Sequence, residues 1–378
     1  LVDVKRILFL QVTLRRWSTI MKVEVKSLRG KMEFKAAILV RQGSDLIIDT
    51  IKSQPLKSGQ VLVKVNKAGL CGSQLFEIAG DRGKDIWLPH LLGHEAIGEV
   101  IAHATDVTTI ATGDVVILSW IKSDGISAEP AKYSWEDNIV NSGRVTTFSE
   151  YTVASEDRCI RVDSLLADKV GPALGCALPT GYGMAMHLDK LKNAEHCGII
   201  GLGGIGMAAL LGVVNESNAT PICIDIRDVR LNQAKSIGAK HLINSKYEAI
   251  TEKIFKATNG KMLDVAIECS GNILALQQCL DLINNNGIVK FATHPKCGDL
   301  LKIDPFELII GKRIEGSWGG GVDPLKDFNY IASVASRNKI FLELYKTKEY
   351  GLESINIALG DMRSGTVLRP IINMEHKT

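Results

Sequence analysis

From about residue 33 to 175 the chain runs as short apolar stretches broken by Gly and Pro, such as Phe34-Lys-Ala-Ala-Ile-Leu-Val, Val61-Leu-Val-Lys-Val and Gly113-Asp-Val-Val-Ile-Leu. Alternating or apolar runs of this length, bounded by turn residues, predict a mostly antiparallel β domain. From about 177 to 318 the rhythm becomes apolar strand, helical stretch, apolar strand. That succession predicts parallel βαβ units and, with right-handed crossovers, a doubly wound sheet. Strands are expected near 197–201, 221–225, 240–243, 263–268, 287–292 and 313–317, with helices at 204–215, 228–237, 246–258 and 272–283. The remainder carries helical signals at 324–336 and 353–363 and a last strand at 367–374.

Composition narrows the class. The chain has 378 residues, 46% of them hydrophobic and 23% charged, enough for two domains that each bury a core. No uninterrupted apolar run approaches the ~20 residues needed to cross a bilayer, so no membrane partner is expected. The net charge of +3 is concentrated in residues 1–32, which carry eight Lys or Arg and two acids, leaving −3 for the rest. Nothing in this balance suggests a nucleic-acid surface. The eight cysteines are irregularly spaced, and several lie inside apolar stretches, which argues against a disulfide framework and for a reducing, cytoplasmic setting. Leu1 is not a methionine, and Arg15-Arg16 interrupts the apolar stretch from Ile7 to Leu14. An upstream extension of the frame is expected rather than a mitochondrial-type presequence, with the ordered protein beginning near Met21 or Met32.

Two signals carry chemistry. Gly201, Gly203 and Gly206, with Gly204 and Ile205 between them, follow the apolar Cys197-Gly-Ile-Ile and fit Gly-x-Gly-x-x-Gly. The first glycine gives a tight turn, the second admits a pyrophosphate close to the backbone, and the third lets helix pack on strand. Asp225 ends the next apolar strand, where a carboxylate accepts hydrogen bonds from adenosine ribose hydroxyls and repels a 2′-phosphate. NAD is therefore favoured over NADP, although Arg227 and Arg230 stand nearby. The second signal is Cys71, His94, Glu95 and Cys176, each among glycines: two thiolates, an imidazole and a carboxylate, a set suited to Zn²⁺ with one exchangeable position. A metal that acidifies an alcohol beside a dinucleotide fold implies hydride transfer.

With these motifs in place, the chain resembles the zinc-containing medium-chain alcohol and polyol dehydrogenases over about 33 to 374. The resemblance rests on Cys71-Gly-Ser, Gly93-His-Glu-Ala-Ile-Gly-Glu-Val, Gly113-Asp-Val-Val, Gly175-Cys-Ala-Leu-Pro-Thr-Gly-Tyr-Gly, Gly201-Leu-Gly-Gly-Ile-Gly and Gly365-Thr-Val-Leu-Arg. It implies a Rossmann domain over 177–319 that binds NAD, and a GroES-like catalytic domain over 33–176 plus 320–378. It implies one catalytic zinc on Cys71, His94 and Cys176, with Glu95 an alternate ligand and Ser73 passing the substrate proton outward. Thr180 would lie near the nicotinamide, Arg230 near the adenosine ribose, and Arg369 would pair with the pyrophosphate. A homodimer or homotetramer is implied as well.

Three departures qualify it. The stretch from Ser119 to Thr147 contains no cysteine, so the family's structural zinc should be absent and Trp120, Tyr133, Trp135 and nearby charges must stabilise this lobe or leave it mobile. Gln74 stands where the family often has an acid that orients the zinc-bound imidazole. Phe76 replaces a relay histidine. The pattern leans towards a secondary alcohol, polyol, sugar or sugar derivative as substrate. The alternatives are a zinc-free reductase of activated double bonds and a non-catalytic NAD sensor. His90 is expected in a loop rather than as a ligand, His187 on a helix surface or in the substrate cleft, and His294 and Cys297 as structural residues. The Ser317-Trp-Gly-Gly-Gly-Val run is expected to shape the cofactor edge and a subunit interface.

Overall fold

A computed structural model describes residues 31–345 and 348–375. The expected upstream extension and the possible start at Met21 lie outside the described residues.

Six parallel strands form one sheet in the order His241–Asn244, Thr220–Asp225, His196–Ile200, Leu263–Glu268, Ile283–Phe291, Arg313–Gly316. The chain reverses its direction of travel across the sheet between His196–Ile200 and Leu263–Glu268, which opens a crevice beyond the strands' carboxyl ends. His196–Ile200 is buried at every position, because helices cover both faces of a parallel sheet. The helices Gly204–Glu216, Asp228–Ile237, Ile250–Ala257 and Ile273–Leu282 match the expected ones, except that the third starts four residues late. Asn244 explains the delay. Its backbone N–H donates to Glu248 Oε1 and its side-chain oxygen accepts from Lys246 N–H, making a turn that competes with helix.

The rest of the chain is mostly antiparallel. Gln60–Gly69 is central, pairing with Glu95–His103, Tyr151–Ser155 and Ile371–Asn373, and Val115–Ser119 and Cys159–Arg161 extend that sheet outward. The last segment thus returns to the antiparallel sheet, and the helix Ile355–Ser364 buries Ile355, Ala358 and Leu359 in the core beneath it.

The cysteine-free lobe has a definite structure. Lys132–Trp135 and Asn138–Asn141 form a hairpin that closes a five-stranded barrel with Glu33–Leu39, Ile47–Lys52 and His90–Leu91. Tyr133 is fully buried, with its hydroxyl accepting from Val153 N–H at 2.9 Å and its ring edge-on to Phe34. Trp135 Nε1 donates to Asp49. Strand pairing and the packing of buried aromatic surface hold the lobe.

Two short helices absent from the sequence reading position the candidate chemistry: Gly72–Ala79 and Ala177–Met186. The second contains Pro179, Gly181 and Gly183, a poor helical composition in isolation. Tertiary packing overrides propensity there. A Cβ at Gly181 would stand 2.1 Å from Ile205 O, so only glycine lets this helix lie against Gly204–Glu216.

Candidate functional site

Cys71 is the N-cap of Gly72–Ala79 and Cys176 the N-cap of Ala177–Met186, while His94 immediately precedes the strand Glu95–His103. The three elements bring their donor atoms within 4.8 Å of one another. His94 Nε2 lies 3.2 Å from Cys176 Sγ, and the two sulfurs are 3.9 Å apart although 105 positions separate them in the chain. This is the one such donor cluster among the described residues.

The electrostatics favour a thiolate. Unsatisfied N–H groups at a helix start stabilise negative charge on an N-cap sulfur. Hydrogen bonding to Cys176, then to His94, together with the Arg369 charge, pulls the Cys71 thiol well below its ordinary value against the penalty of burial. Cys176 moves the opposite way, because one proton is shared between the sulfurs and both are buried. Burial lowers His94, but the hydrogen bond to Cys71 and the charges of Cys71, Glu95 and Glu77 outweigh it and leave it raised.

Glu95 is fully buried and pairs with Arg369, which donates to its Oε1 from Nη2. Burial raises the Glu95 carboxyl against the pull of Arg369. Its Oε2 has no hydrogen-bond partner. Gln74 joins this group, accepting from Cys71 N–H at 2.8 Å and approaching His94 Nδ1 at 2.7 Å. Ser73 Oγ accepts weakly from Gln74 Nε2 at 3.3 Å.

A groove of about 670 Å³ is lined by Gly72, next to Cys71 in the chain, by Gly201–Gly204, and by Asp225 and Asn272. Gly201 has φ +85°, and a Cβ there would lie 2.7 Å from the Ser270 backbone. A Cβ at Gly206 would meet Gly201 O at 1.9 Å, so the third motif glycine is required by packing. Gly204 and Ile205 open the helix behind this turn. Asp225 Oδ2 accepts from Leu202 N–H at 2.7 Å and Oδ1 from Arg227 N–H at 2.9 Å, so the carboxylate also clamps the glycine turn.

The remaining candidates fall as follows. Arg230 lines the groove but donates to Gly365 O and Gln233 Oε1, both at 3.0 Å. Arg369 lines it too, with its guanidinium turned to Glu95. Thr180 is 2% exposed and its Oγ1 has no partner, so a polar group arriving beside the helix would satisfy it. His90 lies in the short barrel strand His90–Leu91 rather than in the expected loop, where Asp85 holds it at 2.6 Å, outside the cluster. His187 caps its helix and pairs with Asp327. Cys297 N–H donates to Asp81 O and Lys296 pairs with Asp81, tying the 292–300 loop to the turn after Gly72–Ala79.

The sequence reading missed Glu268 and Ser270. Glu268 accepts from Ser270 N–H and from Thr293 Oγ1, fixing Ser270 against the Gly201 turn. The signal was available, since an acid ending a parallel strand at its carboxyl end faces the crevice.

Comparison with known proteins agrees with this geometry. Residues 57–164 match the alcohol dehydrogenase GroES-like domain, and residues 204–336 match the zinc-binding dehydrogenase domain. Alcohol dehydrogenase class-3 of Dictyostelium discoideum is 28% identical, with 90% of this chain and 97% of that protein covered. S-(hydroxymethyl)glutathione dehydrogenase of Synechocystis is 26% identical over 90% of this chain and all of that protein. Benzyl alcohol dehydrogenase from Acinetobacter calcoaceticus superposes with a TM-score of 0.80 at 27% identity, covering 90% of this chain and 99% of that one. The fold is that of a two-part dehydrogenase, a GroES-like domain joined to a Rossmann sheet. The chain belongs to the zinc-type medium-chain alcohol dehydrogenases, oxidoreductases that work with zinc and NAD.

Proposed function

We propose that this dehydrogenase holds a single zinc on Cys71, His94 and Cys176 and oxidises a secondary or polyhydroxylated alcohol to its carbonyl with NAD. The observation that carries the proposal is the convergence of those three donors within 4.8 Å of one another, one residue along the chain from Gly72, which lines the groove. Two thiolates and an imidazole, with a position left open, fit zinc in its catalytic form. Bound there, zinc would lower the pKa of a substrate hydroxyl and polarise the product carbonyl.

The chain's own residues account for the rest. Ser73, half-buried beside Cys71, takes the hydroxyl proton and passes it to water, since Phe76 offers no relay. A bound nicotinamide would accept the hydride, and Thr180, whose buried hydroxyl has no partner, would orient it. Gly201, Gly203 and Gly204 would receive the pyrophosphate at the helix N-terminus that Ile205 and the packed Gly206 continue, and Arg369 would add a guanidinium there. Asp225 receives the adenosine ribose, with Arg230 bracing the groove wall. Glu95 would serve as an alternate ligand during exchange, a role supported by its buried Oε2 without a partner and its place next to His94 in the chain.

The choice of a polyol, sugar or sugar derivative is supported by Trp120 and Trp318, ring centroids 4.9 Å apart and nearly perpendicular. Trp120 follows Ser119, whose hydroxyl donates to Gly175 O next to Cys176. Trp318 is 82% exposed, a broad apolar face of the kind that covers the C–H face of a sugar ring.

We further divide the chain into 33–176 plus 320–378 and 177–319, in line with the return of Ile371–Asn373 to the antiparallel sheet. A homodimer through the open edge of Arg313–Gly316 fits the exposed Phe306, Leu308 and Ile309 nearby. Eight free thiols, seven of them buried, suit the cytoplasm. No helix among the described residues is long and apolar enough to cross a membrane.

A panel of secondary alcohols, polyols and sugars with NAD and NADP, followed by NADH absorbance, tests the reading. Activity that is confined to polyols or sugars and lost on zinc removal is the expected result. Turnover that survives complete zinc removal would overturn it.

A further inference from the structure

We infer that Gln74 sets how tightly the Cys71–His94–Cys176 cluster holds its metal, because it faces the imidazole with a hydrogen-bond donor. The inference rests on the reading that this cluster binds zinc.

Gln74 is 1% exposed, at the third position of Gly72–Ala79. Its Oε1 is committed. Cys71 N–H lies at a helix start, has no helical acceptor, and donates to that oxygen at 2.8 Å. Exchanging the amide oxygen and nitrogen would set an NH₂ group against the Cys71 N–H, donor facing donor. The atom 2.7 Å from His94 Nδ1 is therefore Nε2.

An amide nitrogen only donates, so Nδ1 must accept and the neutral ring carries its proton on Nε2. Nε2 is the nitrogen that faces Cys176 Sγ at 3.2 Å, inside the cluster. A metal bound among the three donors needs the lone pair of Nε2. The ring proton must then sit on Nδ1, opposite a donor. Either the two N–H groups oppose each other, or the amide turns and strips the Cys71 N–H of its acceptor. Metal-binding histidines usually donate their second N–H to a carboxylate or carbonyl, and losing that partner weakens binding about 10–100-fold. Gln74 withholds this support, so the site holds zinc loosely and exchanges it readily.

The test is the zinc dissociation constant of the full chain, measured at fixed pH by competition with a chromogenic chelator. The unfolding midpoint of the metal-free protein is followed separately. Gln74→Glu keeps the side-chain length, leaves one oxygen for Cys71 N–H and gives the other to His94 Nδ1–H. The expected result is zinc binding tighter by about 10–100-fold. Unchanged or weaker binding by a folded Gln74→Glu protein overturns the inference.

Should that variant fail to fold, heteronuclear NMR of the wild-type imidazoles decides, with the His94 signal identified by its loss in His94→Gln. A proton on Nε2 without metal that moves to Nδ1 on zinc loading supports the inference. A proton already on Nδ1 without metal overturns it. Zinc that binds wild type but not Cys71→Ser, with no gain in Gln74→Glu, removes this inference alone. A wild-type chain that takes up no zinc removes the proposed function and this inference together.

Discussion

Arg369 and Glu95 form an ion pair in the interior, with Arg369 5% exposed and Glu95 fully buried. The pair joins the cofactor groove, which Arg369 lines, to the residue after His94. Neither charge has water to fall back on, so removing one leaves the other stranded.

Arg369→Met should therefore cost about 3–5 kcal/mol of stability, the range for breaking a buried pair from one side. The double variant with Glu95→Gln should recover part of that loss, because the stranded carboxylate is gone. Denaturant unfolding of the single and double variants checks this. Additive losses would show that the two residues act independently.

Asp225 clamps the glycine turn through Leu202 N–H and Arg227 N–H, and we propose that it also meets the ribose. Asp225→Ser should weaken NAD binding at least about tenfold, or about 1.4 kcal/mol, and weaken NADP less, since the charge that repels a 2′-phosphate is removed. Fluorescence titration with both reduced cofactors measures the ratio. Parallel losses would mean that Asp225 serves the turn alone.

Tyr133 carries the lobe that lacks cysteines. Tyr133→Phe leaves the buried Val153 N–H without its acceptor and should cost about 1–3 kcal/mol, with zinc content unchanged at one ion per chain by elemental analysis. A second zinc per chain in wild type would contradict this account of the lobe.

Glu156 gives the pH dependence a sign. Its Oε1 accepts from the backbone and hydroxyl of Thr109 and from Thr108 N–H, and its Oε2 accepts from Ile126 N–H. Burial raises the carboxyl, but these donors outweigh it and hold it below its ordinary value. A folded value below the unfolded one means stability that is complete above the unfolded value, about 4.3, and is lost as pH falls through the folded value. Glu156→Gln should be less stable than wild type at neutral pH by about 1.5–3 kcal/mol, and the gap should narrow below about pH 4. Unfolding curves across that range decide. A gap that stays constant in acid would assign the effect to packing.

Much of this was legible in the chain. The apolar runs from Cys197 to Gly316 yielded the parallel strands and their helices in order, since each element's period is written in neighbouring residues. The glycine turn, Asp225 and the types of the metal donors were legible for the same reason. The short helices were not: Pro179, Gly181 and Gly183 weaken the helical signal of Ala177–Met186, and the eight residues of Gly72–Ala79 span barely two turns, too few to establish a period.

By itself, then, the sequence determined the parallel strands and their helices, the types of side chain offered to a metal and a cofactor, and that the lobe between Ser119 and Thr147 has no cysteine with which to hold zinc. Tertiary structure decided that a hairpin closes that lobe into a barrel, that Arg369 turns to Glu95, that Arg230 is spent on Gly365 O, and that Gln74 meets His94 with its nitrogen. The division has one physical cause. Local periodicity and donor chemistry are properties of residues close in the chain. The partner of a buried polar group is chosen among atoms tens to hundreds of positions away, by which pairing leaves the fewest groups without water or a hydrogen bond.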